Sequence, residues 1–465
     1  MHNSEKPIVC VQGLGFVGAA MSVAVAIATD EQGLPIYDVV GIDLPNTHGL
    51  EVVNSINNGL FPFVTSDEKL LEAISRAKKQ GNLRATTDET VYEFADIIVV
   101  DIPLDIPYLE TEPQLKFDSF QKAIKSVAQR IKKGALVIIE TTVPPGTCEK
   151  VVVPTFEEEL QKRDLSIDDI HIAHSPERVM PGENYLESIT DFWRIYSGYT
   201  KDAADACEEF LSNIINTEKY PLTRLSTPTA SETAKVMENT YRAVNIAFLD
   251  EWTRYAEEVG IDMFEVVDAI RKRPTHSNIR FPGLGVGGYC LTKDPMFAPV
   301  AVSQLFDKDV EFPFSKMAVH INHNMPIHTV SRLKSLLAGS LEGKKILVCG
   351  ISYRQDVGDT RNSPTETLVN ELQKNNAQII LHDPYVDYWN ELGLTPENEL
   401  PPARDLDVCI FAVGHEYYKE LDLLYWASDS DLIIFDANYV FCKEQIQHAR
   451  KHGLRFESIG RGDGQ

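Results

Sequence analysis

Ile8-Val9-Cys10-Val11-Gln12-Gly13-Leu14-Gly15-Phe16-Val17-Gly18 decides the fold. An apolar, β-branched run enters a GxGxxG turn, and an apolar helical stretch, Phe16–Ala28, leaves it. Gly13 permits the tight turn, Gly15 lets the backbone approach a pyrophosphate, and Gly18 lets helix and strand pack closely. The helix N-terminus, at Phe16 and Val17, offers backbone N–H groups and the positive end of a dipole to phosphate. The next strand-like run, Val39–Leu44, carries Asp43 at its end. An acid there accepts hydrogen bonds from the adenosine ribose and repels a 2′-phosphate, so the expected cofactor is NAD rather than NADP.

Working outward, strand-like runs recur at Asp96–Pro103, Ala135–Thr142 and Ile170–His174, with helical patterns between them at Glu68–Lys79 and Phe117–Lys132. Strands alternating with helices indicate a parallel sheet covered on both faces. The alternation returns late in the chain, at Lys345–Cys349, Gln378–His382, Asp407–Val413 and Asp431–Asp436. Between these regions lies a stretch free of Gly and Pro from Thr229 to Val259. Val236, Tyr241, Val244, Phe248, Trp252 and Tyr255 recur there at close to helical spacing, as an interior stripe or a dimer-forming face would. A second helical stretch follows at Ser315–Leu337. The expected fold is α/β: two Rossmann-like doubly wound domains joined by a long central helix and a helical middle domain.

With 465 residues, the chain is long enough for two or three cores. A net charge of -25 argues against non-specific nucleic-acid binding. The N-terminus lacks the pattern of a signal peptide, and no apolar run is long enough to span a membrane. Seven scattered cysteines form neither a CxxC pair nor a Cys/His cluster, which points to a reducing, cytoplasmic setting and to no metal site.

One cysteine stands apart. Phe281-Pro282-Gly283-Leu284-Gly285-Val286-Gly287-Gly288-Tyr289-Cys290-Leu291-Thr292-Lys293-Asp294 sets four glycines before Cys290 and a cation three residues after it. Glycines let backbone N–H groups approach a ligand, and a thiol beside a cation becomes a nucleophile. The other six cysteines lie in strand- or helix-like runs and read as packing residues.

At this point the chain resembles a family, the UDP-glucose/GDP-mannose dehydrogenases. The resemblance runs through the GxGxxG turn, Glu140-Thr141-Thr142-Val143-Pro144-Pro145-Gly146-Thr147, Ser175-Pro176-Glu177-Arg178 and Lys235-Val236-Met237-Glu238-Asn239. It continues through the cysteine loop with Lys293-Asp294 and through Asp359-Thr360-Arg361-Asn362-Ser363-Pro364. It implies a four-electron oxidation of a sugar 6-hydroxyl to the uronate with NAD, through a thiohemiacetal and a thioester on Cys290. By resemblance Lys235 and Asn239 stabilise the oxyanion, Asp294 orders or deprotonates the hydrolytic water, Glu177 acts as general base and Thr142 holds a water. It also implies contacts to cofactor from Thr142, Lys293 and Arg361. Contacts to the nucleotide sugar are implied for Glu177, Arg178, Lys235, Asn239, Arg280, Gly283, Gly285, Tyr353 and Arg354.

The domains expected on this basis are 1–215 for NAD, 216–328 for a helical, dimer-forming centre with the cysteine loop, and 329–465 for the UDP-sugar. The implied partners are a UDP-sugar and a second copy of the chain, with no nucleic acid and no membrane. Ser175-Pro176-Glu177-Arg178 and the tail Ile459–Gly462 resemble the members that oxidise UDP-N-acetylhexosamines, whereas Tyr289 and Lys293 look like the glucose enzymes. UDP-N-acetylglucosamine or UDP-N-acetylmannosamine is the favoured substrate and UDP-glucose the alternative. A two-electron hydroxyacid dehydrogenase is a more distant reading; it would need no Cys290. A sensor that binds without turnover is another, and the intact Cys290, Lys235 and Asp294 argue against it.

Overall fold

The structure is a computed structural model and describes residues 6–104, 106, 114–180, 182, 184–428 and 430–462. The chain divides into two compact units: Met1–Met237 with Phe297–Val310, and Glu238–Met296 with Glu311–Gln465.

The first unit is built on eight strands: β1 (Ile8–Gln12), β2 (Asp38–Ile42), β3 (Leu83–Thr86), β4 (Ile97–Val100), β5 (Leu136–Ile139), β6 (His171–His174), β7 (Ile195–Gly198) and β8 (Thr223–Arg224). Their order is β3-β2-β1-β4-β5-β6-β7-β8. All neighbouring pairs are parallel except β6 with β7. The first six follow the 3-2-1-4-5-6 order of dinucleotide-binding sheets, whose ligands lie beyond the carboxyl ends where the order reverses, here between β1 and β4.

Alternate residues of one strand feed two cores. Val9 and Val11 face one side of the sheet, and Cys10 faces the other. The helix Phe16–Ala26 is apolar nearly all round because nine of its residues, Gly18 to Ala26, are buried. Helix Glu68–Gln80 is amphipathic instead: its N-cap Asp67 accepts from Leu70 N, and Gly81 ends it at φ 74°.

The second unit contains β9 (Lys345–Cys349), β10 (Gln378–His382), β11 (Val408–Phe411), β12 (Ile433–Asp436) and β13 (Arg455–Ser458), ordered β10-β9-β11-β12-β13 and all parallel. This is the other common doubly wound order, 2-1-3-4-5, with its switch point between β9 and β11. Two apolar clusters again cover the two faces.

The helix Pro228–Val259 contributes its first turns to the first unit and Glu238 onward to the second. Within the second unit its small residues Ala243 and Ala247 meet Ala318 of helix Pro313–Leu336. The C-terminal tail docks on the same unit. Arg461 pairs with Asp262 and lies over the Phe264 ring, and Gly460 N donates to Glu257 Oε1 at 2.6 Å. Five cysteines are buried as read, but Cys442 is exposed: it caps helix Lys443–Lys451 and exchanges hydrogen bonds with Gln445. The packing role read for it fails because it stands at a helix start, where the thiol stays outside.

Candidate active site

In the first unit the glycine turn joins β1 to helix Phe16–Ala26 as its sequence requires. A Cβ on Gly13, held at φ 89°, would meet the Asp101 carbonyl, and one on Gly18 would collide with the Gly13 carbonyl; beside Gly15 there is open space. Gly15 caps the helix without a side-chain bond, and Phe16 and Val17 form the first turn, the end of a helix that favours an anion. Asp43 follows β2; its Oδ2 accepts from Leu14 N at 3.0 Å and its Oδ1 from Leu44 N at 2.7 Å. A carboxylate has about four acceptor positions, so two remain for ribose hydroxyls. These residues fit NAD.

Beyond β5 and β6 lies a buried polar group. Thr142 is half-buried in the loop after β5. Glu177 follows β6 and is buried; its Oε2 accepts from Val179 N at 2.6 Å. Lys235 reaches it from the long helix, donating to Glu177 O at 2.6 Å with Glu177 Oε1 at 3.5 Å. Arg178 turns elsewhere, donating to Trp193 O at 2.9 Å and lying over the Phe192 ring.

The sequence reading missed what supports this group. Arg194 of the β7 approach is almost wholly buried and pairs with Glu140, just beyond β5. Its Nε donates to Ser175 Oγ at 3.1 Å and its Nη2 to Ser175 O at 3.3 Å. One guanidinium thus ties together the loops that carry Thr142 and Glu177. Burial lowers the Arg194 pKa to about 10. Beside it, burial and then the charge of Glu177 hold the Asp101 carboxyl well above its usual range. Glu232, one turn before Lys235, accepts from Gly146 N at 2.5 Å and Cys148 N at 2.8 Å. Burial raises its pKa to about 7.

In the second unit Cys290 is exposed and begins a one-turn helix, Cys290–Lys293, directly continued by a 3-10 turn at Asp294. Asp294 is buried and receives Asn239 Nδ2 at 2.7 Å and Lys293 Nζ at 3.1 Å. Three sequence-read residues, Asn239, Lys293 and Asp294, therefore converge four residues from the thiol. The glycine loop before Cys290 is fixed by a residue the sequence reading did not single out. Asn322 accepts from Val286 N at 2.8 Å and donates to Val286 O at 2.7 Å, replacing a strand partner.

The remaining substrate candidates are spread around this loop. Gly283 lies against the Asn438 amide, Gly285 has φ 122°, and Gly288 packs on the Tyr353 ring. Burial is the first cause of the raised Tyr353 pKa. Arg354 is exposed. Arg361 is paired with Asp359, and its guanidinium lies 4.7 Å from the centroid of the Tyr289 ring. Arg280 donates its backbone N–H to Asn245, and its pKa is lowered first by burial, then by Arg242 and Arg271.

A cavity of about 740 Å³ opens at the carboxyl ends of β9, β11 and β12. The chain is strongly acidic, yet no carboxylate is among the residues lining this cavity, and Arg354 and Lys419 are. Its lining therefore carries positive charge, with Lys419 also paired to Glu416 at 3.1 Å.

Comparison with known proteins agrees. The NAD binding domain of the UDP-glucose/GDP-mannose dehydrogenase family matches residues 8–214, its central domain 229–324 and its UDP binding domain 347–443. UDP-N-acetyl-D-mannosamine dehydrogenase of Methanocaldococcus jannaschii is 30% identical over 418 residues, 89% of this chain and 87% of its own. The enzyme of that name from Campylobacter jejuni is 31% identical over 429 residues, 89% of this chain and 96% of its own. Among solved structures, the UDP-D-ManNAc dehydrogenase of Pyrococcus horikoshii superposes with a TM-score of 0.82 at 27% identity, covering 98% of this chain and all of that one. The glycine turn and the three consecutive domain matches lead to one conclusion: the chain belongs to the UDP-glucose/GDP-mannose dehydrogenase family and is an NAD-dependent nucleotide-sugar dehydrogenase.

Proposed function

We propose that the chain oxidises the C6 hydroxyl of a UDP-N-acetylhexosamine to the uronate in two successive two-electron steps, with Cys290 holding the sugar between them. The observation that carries this reading is an exposed Cys290 at the start of a helical turn whose next residues enter the buried Asn239–Asp294–Lys293 cluster. NAD, held by Gly13, Gly15, Phe16, Val17, Gly18 and Asp43, supplies the acceptor for the hydride that leaves C6 in each step. Thr142, Lys293 and Arg361 are proposed to add to its binding.

The protein residues do the rest. Lys235 and Asn239, four apart on one helix, stabilise the oxyanion at C6, and Lys235 takes the hydroxyl proton as the aldehyde forms. The Cys290 thiolate adds to the aldehyde carbon, making a C–S bond, and the oxygen gains a proton to give a thiohemiacetal. Loss of that proton and of a hydride leaves a thioester. Glu177 and Asp294 deprotonate and orient a water, held by Thr142, that adds to the thioester carbon. The C–S bond breaks, the uronate leaves, and the thiolate returns.

The nucleotide is assigned to the cavity beside Arg354, with Tyr353, Gly283 and Gly285 against the sugar-proximal part. Glu177, Arg178 and Arg280 complete the proposed substrate contacts. Residues 1–215, 216–328 and 329–465 are the proposed NAD, central and UDP-sugar domains.

The N-acetylhexosamine assignment is supported by Ser175-Pro176-Glu177-Arg178, by the tail Ile459–Gly462, and by relatives named UDP-N-acetyl-D-mannosamine dehydrogenase. UDP-glucose is the second reading, favoured by Tyr289 and Lys293. Initial rates with NAD and UDP-glucose, UDP-N-acetylglucosamine, UDP-N-acetylmannosamine, UDP-N-acetylgalactosamine and GDP-mannose decide. A kcat/KM at least roughly a hundredfold higher for an N-acetylhexosamine is expected; a preference for UDP-glucose overturns the assignment.

The same reading includes a homodimer. Tyr241, Phe248, Trp252 and Tyr255 are all exposed on one side of the long helix, an apolar face wide enough to seek a symmetric partner. Trp252→Glu is expected to shift the sedimenting species from dimer to monomer, and a monomeric wild type would refute it. A reducing, cytoplasmic location is proposed from the seven cysteines, none of them in a disulfide.

A further inference from the structure

The turn after β9, Gly350-Ile351-Ser352, occupies the place that holds a pyrophosphate in a dinucleotide-binding unit. Its N–H groups are already committed. Asp383, immediately after β10, accepts from Ile351 N at 2.7 Å and from Ser352 N at 3.1 Å, both on Oδ2. The carboxylate therefore fills the turn from within, and an anion in the cavity must meet the side chains that follow it. Tyr353 and Arg354 are those side chains.

His415 holds this arrangement. It is fully buried after β11, directly behind the cavity-lining Val413 and Gly414. Its Nε2 lies 3.2 Å from Asp383 Oδ2 and 3.2 Å from Ser352 Oγ. Its Nδ1 accepts the backbone N–H of Asp356 at 2.8 Å. One imidazole thus contacts both ends of residues 352–356, and Tyr353 and Arg354 lie between those ends. Ser352 Oγ donates to Arg354 O at 2.9 Å, tying the middle of the turn to the same group. A second carboxylate, Asp356 Oδ1, lies 3.6 Å from Nδ1, as an imidazolium between two acids would require. The backbone N–H decides against that form, because a nitrogen that accepts a hydrogen bond carries no proton. Asp356 Oδ1 is moreover occupied by Glu416 N at 3.0 Å and Tyr385 Oη at 3.2 Å.

We infer that His415 is a positioning residue for nucleotide binding: a neutral ring, protonated on Nε2, that staples Ser352 and Asp356 so that Tyr353 and Arg354 face the diphosphate. The inference rests on assigning the nucleotide to this cavity. His415 touches neither substrate nor cofactor and acts through the turn.

Calorimetric titration of the full chain with UDP tests it, using wild type, His415→Ala and His415→Asn. Asn keeps an acceptor near the Nδ1 position, so it is the conservative variant. His415→Ala is expected to weaken UDP binding at least roughly tenfold while leaving NAD affinity and kcat at saturating substrate unchanged, and His415→Asn to recover part of the loss. UDP affinity unchanged in His415→Ala overturns the inference, as does a parallel fall in NAD affinity and kcat. A wild type that fails to bind UDP removes the cavity assignment itself, and the inference with it. Nitrogen-15 spectra of histidine-labelled protein read the ring directly: a neutral Nε2–H tautomer is expected, and a doubly protonated or Nδ1–H ring overturns the staple even where UDP binds.

Discussion

Arg194→Met cuts the buried tie between the loops that carry Thr142 and Glu177. Arg194 and Glu140 are exposed by only 3% and 1%, so water screens neither charge. Removing the guanidinium strands Glu140 without a counter-charge and takes away both donors to Ser175. It also removes the cation that opposes the raised pKa of Asp101. Breaking a buried pair from one side costs about 3–5 kcal/mol, and the Met side chain restores packing but no donor. Arg194→Met/Glu140→Gln should be less destabilised than the sum of its parts, with a coupling of about 2 kcal/mol or more. The assay is urea unfolding of the four proteins of the cycle, with saturating NAD used to identify the transition of the first unit by its shift. Each single variant should also lose kcat, because the Ser175-Pro176-Glu177 loop is freed. Additive losses, or an Arg194→Met variant within about 1 kcal/mol of wild type, would refute the reasoning.

Three further outcomes follow from named contacts. Burial raises the Glu232 pKa from its ordinary 4.5 to about 7, so between those values the folded chain holds a proton that the unfolded chain has lost. This group's contribution to stability therefore falls as pH rises through that window and is level above it; the difference in urea midpoint between wild type and Glu232→Gln, taken from pH 5 to 8, should show this sign, and a flat difference would reject it. Gly18→Ala drives a methyl into the Gly13 carbonyl and should abolish NAD binding while leaving UDP binding intact, as two titrations would read. Asn322→Ala removes both bonds to Val286 and should raise KM for the nucleotide sugar about tenfold; an unchanged KM would exclude a loop-holding role.

Most of the architecture was legible because the strands are short, apolar and β-branched. Lys345–Cys349 and Gln378–His382 were read to the residue, and the glycine turn fixed β1 and its helix. β3 was missed because Leu83-Arg84-Ala85-Thr86 alternates buried and exposed residues over one edge position, with too few apolar side chains to register. β7 escaped because it enters the sheet against the grain, antiparallel to β6. The long helix was legible as a helix, but its stripe has two destinations: Val236 is buried, whereas Tyr241, Phe248, Trp252 and Tyr255 stay outside. Periodicity reports a shared face and not what covers it.

The candidate site divides in the same way. Its residue types were visible, because glycines, a loop cysteine and an acid at a strand end each carry a local reason. The partners were not. Glu177 was set beside Arg178 by sequence but pairs with Lys235, 58 residues away, and Asp294 receives Asn239 across 55 residues. Arg194, Asn322 and His415 gave no local signal, because each acts only through contacts the fold creates.

The most direct test of the account is the stoichiometry of NADH per sugar. The purified chain, with excess NAD and a limiting amount of the UDP-sugar it oxidises best, should release two NADH for each uronate formed, and Cys290→Ala should abolish uronate formation. One NADH per sugar, or uronate formed at the wild-type rate without the thiol, would contradict it.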